Sequence, residues 1–492
     1  MDVQNCYESF RRSSSTMTFS ASKCASLTDD EKFEHRRLFN LEGNVIYPLP
    51  GDTSPLDFAR FLVKDPTFCN QEEPFYVMDL SRVLTQHQIW MQHLPRIQPY
   101  YAVKCNDHKP LIRILSTLGL NFDCASKGEI EAVLDLGIDA SRIIYANPCK
   151  TAGYIRHAKS RHVRSMTFDN EHELYKIHNL YPEAELILRI AVSDPTAVCP
   201  LNLKFGCEPV EAAPALLKLA SVIGANVVGV RKSCYKTCLA FETIADVINR
   251  ALDEHFPADS SVKVIAEPGR FYAAACFTLC CTVVAKTKVS ADRITKQDID
   301  RDQTGFMYYI NDGVYGSFNC ILYDHVTPIA MPLIITGKEE ERLYETAVWG
   351  PTCDSLDLVQ PRIQFPEMFE GDWMVFENMG AYTCAAGSEF NGFPRPTFCY
   401  VMAECDSAII GALLNAENAV IGNNDPSLMA ASEAAIVEQK CGDFSPFEQK
   451  SMDVEESMTS SSSDLASGAE SDSSSVISTF DSDSLIVTLA RI

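Results

Sequence analysis

From residue 74 to 269 short apolar runs alternate with helical patterns. The runs are YYAVKC (100–105), NFDCAS (121–126), IIYANP (143–148), SMTFDN (165–170), ELILRIAV (185–192), NVVGV (226–230) and VKVIAEPG (262–269). Each ends in small or polar residues. Between them lie stretches such as KGEIEAVLDLG, which sets Ile130, Val133 and Leu134 on one helical face. Runs this continuously apolar predict strands buried on both faces of a parallel sheet, and so many strand–helix units close most economically as an α/β barrel. Seven strands are recognisable where such a barrel has eight. Residues 231–261 carry one amphipathic helix, predicted over 241–256 from Phe241, Ile244, Ile248 and Leu252, and leave no room for another strand with its helix. The expected consequence is an open slot after Val230, or a narrowed barrel in which the sixth and seventh strands pair directly.

Past about 270 the period changes. FYAAACFTLCCTVVAKTKV, GFMYYIND, LYETAVWG, DWMVFENM and TFCYVMAE are β-branched and aromatic, punctuated by Gly, Pro and Asp, which predicts an antiparallel β domain. The expected organisation is a flexible arm at 1–40, strands at 41–73 joining the β domain, the barrel at 74–279, the β domain at 280–410, and an acidic, serine-rich disordered tail at 411–492. The stretch TSSSSDLASGAESDSSSV lacks the apolar surface to offset its ordering entropy, and SLIVTLARI is expected as an exposed apolar tip.

Charge sharpens this division. Of the net charge of −24, residues 401–492 contribute −13, from sixteen acids and three bases. An acidic chain of this kind argues against nucleic acid held through phosphate contacts. No apolar run is long enough to span a membrane, and the serine-rich start with Arg11 and Arg12 has no apolar core of a secretory signal. A transit peptide is the competing reading of that start, opposed by Asp2 and Glu8. The nineteen cysteines form no CxxC pair, and no histidine cluster has zinc spacing. Free thiols in a reducing, cytoplasmic setting and no metal site are the expectation.

In a parallel barrel, reactive side chains gather at the C-terminal ends of the strands. Lys104 ends the first recognisable strand, Asp123 lies in the second, Arg189 in the fifth, and Glu267 and Arg270 follow the last. A lysine at such a mouth either snorkels to water or, partly desolvated, serves as an amine nucleophile. Glu267 and Arg270 in EPGR favour the second reading. A carboxylate at a strand end can hold a ring nitrogen's proton, and Pro268–Gly269 let backbone approach a phosphate that the arginine pairs with. Alone, EPG is a turn. Beside Lys104 it suits pyridoxal 5′-phosphate. In the β domain, Cys353 and Asp354 lie in WGPTCDSLD, Tyr323 and Asp324 in ILYDH, and Tyr382 in ENMGAYT; each on its own is equally an ordinary loop residue.

PYYAVKCN, FDCASKGEIE, IIYANPCK, MTFDNEHEL, LRIA, LKFG, AEPGRFY, FMYYINDGVYGSFNCILYDH, WGPTCDSLD, GDWMVFENMGAYT and FNGFPRPT, in this order, closely resemble the eukaryotic ornithine decarboxylase family from about 40 to 402. The resemblance implies a pyridoxal-phosphate enzyme with an α/β barrel and a C-terminal β domain. It also implies a head-to-tail homodimer with shared active sites, making putrescine from L-ornithine for polyamine biosynthesis. By the same resemblance Lys104 forms the internal aldimine, Glu267 holds the pyridinium proton, Arg270 and Tyr382 bind phosphate, and Asp123 and Arg189 support the cofactor. Tyr323 and Asp324, with Asp354 of a second subunit, line the place of the substrate's distal ammonium. Cys353, also from that subunit, governs protonation after carbon dioxide leaves. Family tails are often degradation signals, and 411–492 resembles them in composition.

The departure from the family falls after Val230. A His-Val-Gly-Ser-Gly run and a triple-glycine strand end, which in the family stack on the cofactor and cradle its phosphate, are both absent. Three functions therefore compete: decarboxylation of ornithine; a non-enzymatic, antizyme-inhibitor-like homologue; and decarboxylation of lysine or arginine. Residues 152–175 overlie the family's antizyme-binding element, and there Arg156, Lys159, Arg161 and Arg164 form a basic patch that is equally an ordinary solvated helix face.

Overall fold

Seven parallel strands lie where the apolar runs predict them: Ile97–Ala102, Asn121–Cys124, Ile143–Tyr145, Ser165–Phe168, Glu185–Ile190, Asn226–Lys232 and Lys263–Ala266. The computed structural model describes residues 39–412, apart from 52, 66–67, 69–71, 192–203, 233–239, 257–261 and 335–341, together with the backbone of 486–489. Side-chain caps start the helices that return the chain to the next strand. Ser126, Thr151 and Asn170 accept from the amides of Glu129, Tyr154 and Glu173 and so open the helices Lys127–Leu134, Ala152–Ser160 and Glu171–Leu180. The helix predicted over 241–256 spans Phe241–His255.

The eighth strand comes from elsewhere in the chain. Ile486–Leu489 lies between the sixth and seventh strands, parallel to both, with Ile486–Thr488 opposite Gly229–Arg231 and Ile486–Leu489 opposite Lys263–Ala266. The barrel is closed. This corrects three expectations. The slot is not open, the sixth and seventh strands do not pair with each other, and 486–489 is neither disordered tail nor exposed tip. The reason is the backbone. A one-strand slot between parallel neighbours presents two rows of unpaired N–H and C=O groups, and an Ile-Val-Thr-Leu segment of high β propensity answers both rows through its main chain. The arm at 1–38 and the rest of the tail, 413–485 and 490–492, lie outside the described residues.

Tyr100, Ile144, Ala146, Ile187 and Ile265 form a separate buried cluster with Val228 against it, and these six come from five barrel strands and their ends. They fill the barrel's centre as an apolar plug. Side chains alternate along a strand, so two residues beyond Ile187 and Ile265 the same face carries Arg189 and Glu267. The layer above the plug is ionic.

The second sheet is mixed rather than purely antiparallel. Its order is Phe39–Leu41, Asn44–Leu49, Thr397–Ala403, Phe75–Asp79, Phe277–Ser290, Thr304–Ile310, Leu343–Trp349 and Leu358–Pro366, with Trp373–Phe376 and Met331–Ile334 branching from the long strand. Thr397–Ala403 runs parallel to both of its neighbours, and Thr304–Ile310 parallel to Leu343–Trp349. Phe75–Asp79, inside the span expected for the barrel, belongs to this sheet, and Asp79 then caps the first barrel helix, Leu80–His93. The stretch expected to begin the β domain, from Phe271, is helical through Cys276 before its strand starts. One buried core runs through both parts, with Tyr76 and Phe277 of the sheet continuous with Tyr101, Cys105 and Tyr272 of the barrel.

Deleting 485–492 is expected to lower the melting temperature by on the order of 10 °C, at about 1 kcal/mol per ladder hydrogen bond and a few degrees per kcal/mol. An internal deletion of 451–480 that keeps the strand is expected to melt within a few degrees of the full chain. Equal melting of the two deletions in scanning calorimetry would show that 486–489 does not close the barrel.

Candidate active site at the barrel mouth

Lys104 follows the first barrel strand on a single tight turn, Val103–Cys105. Its Nζ lies 3.0 Å from Asp123 Oδ2, with the lysine side chain 23% exposed and Asp123 fully buried. The amine is thus held at the edge of the mouth by a carboxylate buried from solvent. Behind them the carboxylate of Glu129 accepts the Ala125 N–H at 2.7 Å. Burial pushes its acid group up, and the backbone bond and the charge of Lys104 draw it back.

The turn after the seventh strand packs directly on this end. Ala102 N–H donates to the carbonyl of Pro268 at 3.0 Å. A Cβ on Gly269 would stand 2.8 Å from the Cβ of Cys105, so glycine is what allows the two strand ends to meet. Arg270 then pairs with Asp324, and its guanidinium lies 5.4 Å from the centre of the Tyr382 ring. Tyr382 has φ of 56°, in the left-handed region that tyrosine seldom adopts. Its N–H donates to the Cys105 carbonyl at 2.9 Å, and Asn106 donates from its side chain to the Gly380 carbonyl, also at 2.9 Å. Strain of this kind persists where the surroundings fix it, and here the barrel end fixes the loop of the second sheet.

Lys104, Asp123, Glu267, Pro268, Gly269, Arg270, Tyr382 and Asp324 are therefore gathered at one mouth. Arg189 is buried on the fifth strand, its guanidinium 5.2 Å from the centre of the Phe205 ring. The remaining predicted residues stand apart. Tyr323 is 70% exposed. Cys353 is exposed in its turn, and Asp354 accepts from the Tyr315 hydroxyl. Among the described residues no hydrogen bond or ion pair joins Cys353 or Asp354 to the mouth.

The pattern of the sequence does not single out Arg231, and it is the most consequential residue of the mouth. It is 1% exposed. One guanidinium nitrogen, Nη2, contacts Glu267 Oε2 and lies 3.7 Å from Asp123 Oδ2, and Nη1 donates to the Ala146 carbonyl at 2.9 Å. Its signal is the one that marks Lys104 and Arg189: a cation at the end of an apolar parallel strand, here one residue past NVVGV.

Pyridoxal 5′-phosphate asks a protein for an amine, an acceptor for its ring N–H, and phosphate ligands. Lys104 fits the first demand, and Arg270 beside Tyr382 fits the third. Glu267 does not fit the second as it stands, because its charge is already answered by the guanidinium of Arg231, which disfavours a protonated ring nitrogen beside it. Among the described residues there is no cluster that could hold a metal ion, and no helix is long and apolar enough to cross a membrane.

Comparison with known proteins agrees with this geometry. The profile of the pyridoxal-binding domain of pyridoxal-dependent decarboxylases matches residues 80–234 and 232–274. The join of its two pieces falls directly after the sixth strand, where the family's glycine motifs are absent. Ornithine decarboxylase of Caenorhabditis elegans is 47% identical over 403 residues, 73% of this chain and 95% of that protein. Antizyme inhibitor 2 of Xenopus laevis is 39% identical over 389 residues, 70% of this chain and 85% of that protein. The solved arginine decarboxylase of Paramecium bursaria Chlorella virus superposes with a TM-score of 0.63 at 29% identity, covering 70% of this chain and 100% of the viral one. With its lysine, carboxylates and arginine set at the mouth of an α/β barrel, this chain belongs to the eukaryotic ornithine decarboxylase family of pyridoxal-phosphate-dependent carboxy-lyases.

Proposed function

We propose that the chain decarboxylates L-ornithine to putrescine, the entry to polyamine biosynthesis. The observation that carries this reading is the Lys104 amine held 3.0 Å from buried Asp123 in the same mouth as Arg270 and Asp324. The bound cofactor would supply the electron sink for the carbon that loses carbon dioxide. The chain's own residues do the rest. Lys104 offers the amine that tethers the cofactor, and Asp123 keeps that amine oriented. Arg270 is the phosphate ligand. In the structure it is paired with Asp324, and the two would divide the roles at this end of the mouth, the guanidinium for the cofactor's phosphate and the carboxylate for the substrate's distal ammonium. Carboxylate at that end suits a diamino acid, and the 47% identical relative is named for ornithine.

Cys353 and Asp354 lie away from the mouth of their own chain, which supports a site that they would complete from a second copy. A homodimer with shared sites is part of this reading, in which the Cys353 thiol of the second copy would return the proton to the α-carbon.

A second reading has its own support. A Glu267 occupied by Arg231, the absent glycine motifs and the 39% identical antizyme inhibitor all favour a regulator that binds antizyme. The basic patch on 152–175 is exposed, but it is largely answered within the chain. Lys159 lies 3.2 Å from Glu183, Arg161 3.2 Å from Glu131 and Arg164 3.6 Å from Glu185. Exposed pairs of this kind are weak and exchange readily for a partner's carboxylates.

Purified full-length chain supplied with pyridoxal phosphate is expected to release carbon dioxide from L-ornithine in preference to L-lysine, one methylene longer, by roughly 10- to 200-fold in kcat/KM. Lys104→Ala is expected to abolish turnover and the visible band of bound cofactor together; turnover retained in that variant removes the reading. Mixing Lys104→Ala chains with Cys353→Ala chains is expected to recover activity that neither has alone. Failure of every mixture, with dimers seen by sedimentation, would place the two residues in one chain's site. For the second reading, reversing the charges of Arg156, Lys159, Arg161 and Arg164 is expected to weaken capture of purified antizyme without lowering the melting temperature by more than a few degrees. Unchanged capture would leave those cations to their internal pairs.

A further inference from the structure

Two buried carboxylates, Asp123 and Glu267, face one another across the layer above the apolar plug, 0% and 2% exposed. Arg231 bridges them from the end of the sixth strand and is itself fastened to the Ala146 carbonyl at 2.9 Å. Its neighbour in register on the fifth strand is another buried arginine, Arg189. On its other side it stands opposite Thr488 of the closing strand. A guanidinium does not give up its proton inside a protein, so once buried it needs an answering group, and the one Arg231 has is a carboxylate. A pyridine nitrogen, by contrast, is held protonated only where a carboxylate is at hand to accept from it. Arg231 and a pyridinium ring are rivals for the single negative charge of Glu267, and a guanidinium this close disfavours a second cation beside it.

We propose that Arg231 is a built-in counter-ion that takes the ring-nitrogen acceptor of this barrel, so that the chain binds pyridoxal phosphate through Lys104 and Arg270 alone, with no contribution from the ring nitrogen. The proposal rests on the pyridoxal-phosphate reading of the site. It assigns Arg231 two effects of opposite sign. It stabilises the cofactor-free protein by neutralising buried Glu267, beside the Asp123 that Lys104 already holds, and it weakens cofactor binding by the loss of one charge-assisted hydrogen bond. A residue that merely filled space would show neither pattern, because removing it would not distinguish a ring with a nitrogen from a ring without one.

The probes are pyridoxal 5′-phosphate and its 1-deaza analogue, in which a C–H replaces the ring nitrogen. Dissociation constants are read by absorbance titration, and melting temperatures are read with and without ligand. The native chain is expected to bind the two rings within about threefold of each other. Arg231→Met, which keeps the bulk and drops the charge, is expected to melt lower without cofactor. It is expected to bind pyridoxal phosphate roughly 10- to 100-fold more tightly than the native chain, with the deaza analogue unchanged. Arg231→Lys, which keeps the cation, is expected to behave as native toward both rings. Should Arg231→Met fail to fold, Glu267→Gln in the native background decides. It is expected to leave the affinity for pyridoxal phosphate unchanged, and a fall in that affinity, with the deaza analogue unaffected, would show Glu267 already on the ring and overturn the proposal. Discrimination between the rings by the native chain overturns it equally. Binding of neither ring to any variant overturns the cofactor reading, and the proposal with it.

Discussion

A parallel barrel exists only if its ladder closes, and in this chain closure is made by the most distant segment available. Between Gly229–Arg231 and Lys263–Ala266 the backbone leaves a vacancy one strand wide, and Ile486–Leu489 occupies it in register with both neighbours. The rest of the site depends on this. The mouth is a set of strand ends at fixed spacing, and Glu267 meets Arg231 across one intervening strand. Direct pairing of the sixth and seventh strands would have brought them about 5 Å closer.

Much of this architecture is legible in the chain itself. Near-continuous apolar runs between helical patterns give the seven barrel strands, and Phe241, Ile244, Ile248 and Leu252 give the one helix that links the sixth to the seventh. The same patterns place Lys104, Asp123, Glu267 and Arg270 at strand ends, and the structure gathers them. What the pattern does not carry is pairing at long range. Ile-Val-Thr-Leu is four residues with no flanking strand–helix rhythm, set in serine-rich surroundings, and local periodicity cannot say which edge it will meet. Phe75–Asp79 misleads for a related reason: it precedes a barrel helix and reads as part of the barrel, yet its partners are Phe277–Cys280 and Thr397–Val401.

The ionic layer shows the same division. Charged residues at strand ends mark a mouth, but which cation meets which carboxylate is decided by register. Arg189 and Arg231 are in-register partners on adjacent strands, so their side chains enter the same layer. Arg189 is turned onto the face of Phe205, and Arg231 takes Glu267. Two buried guanidinium groups side by side are tolerable only because carboxylate and aromatic surface divide them.

The borrowed strand and the internal cation are best understood as two consequences of one loss. The family's segment after the sixth strand brings a strand, and with it the glycine turns that hold a phosphate. Without it the ladder lacks its own eighth strand, and the sequence lacks the glycine motifs that go with that strand. The backbone defect is answered by main chain alone, which any β-prone segment can supply. The electrostatic change is different in kind. The acids at the mouth need a counter-charge whenever no cofactor is there, and a buried carboxylate without one is among the costlier defects a fold can carry. Arg231 stands one residue beyond Val230, directly opposite Thr488 of the strand that closes the gap. Its backbone is fixed by the repair and its side chain neutralises what the loss exposed. The strand restores the barrel as a structure, while the arginine settles the charge of its mouth at the expense of the group the mouth was shaped to receive.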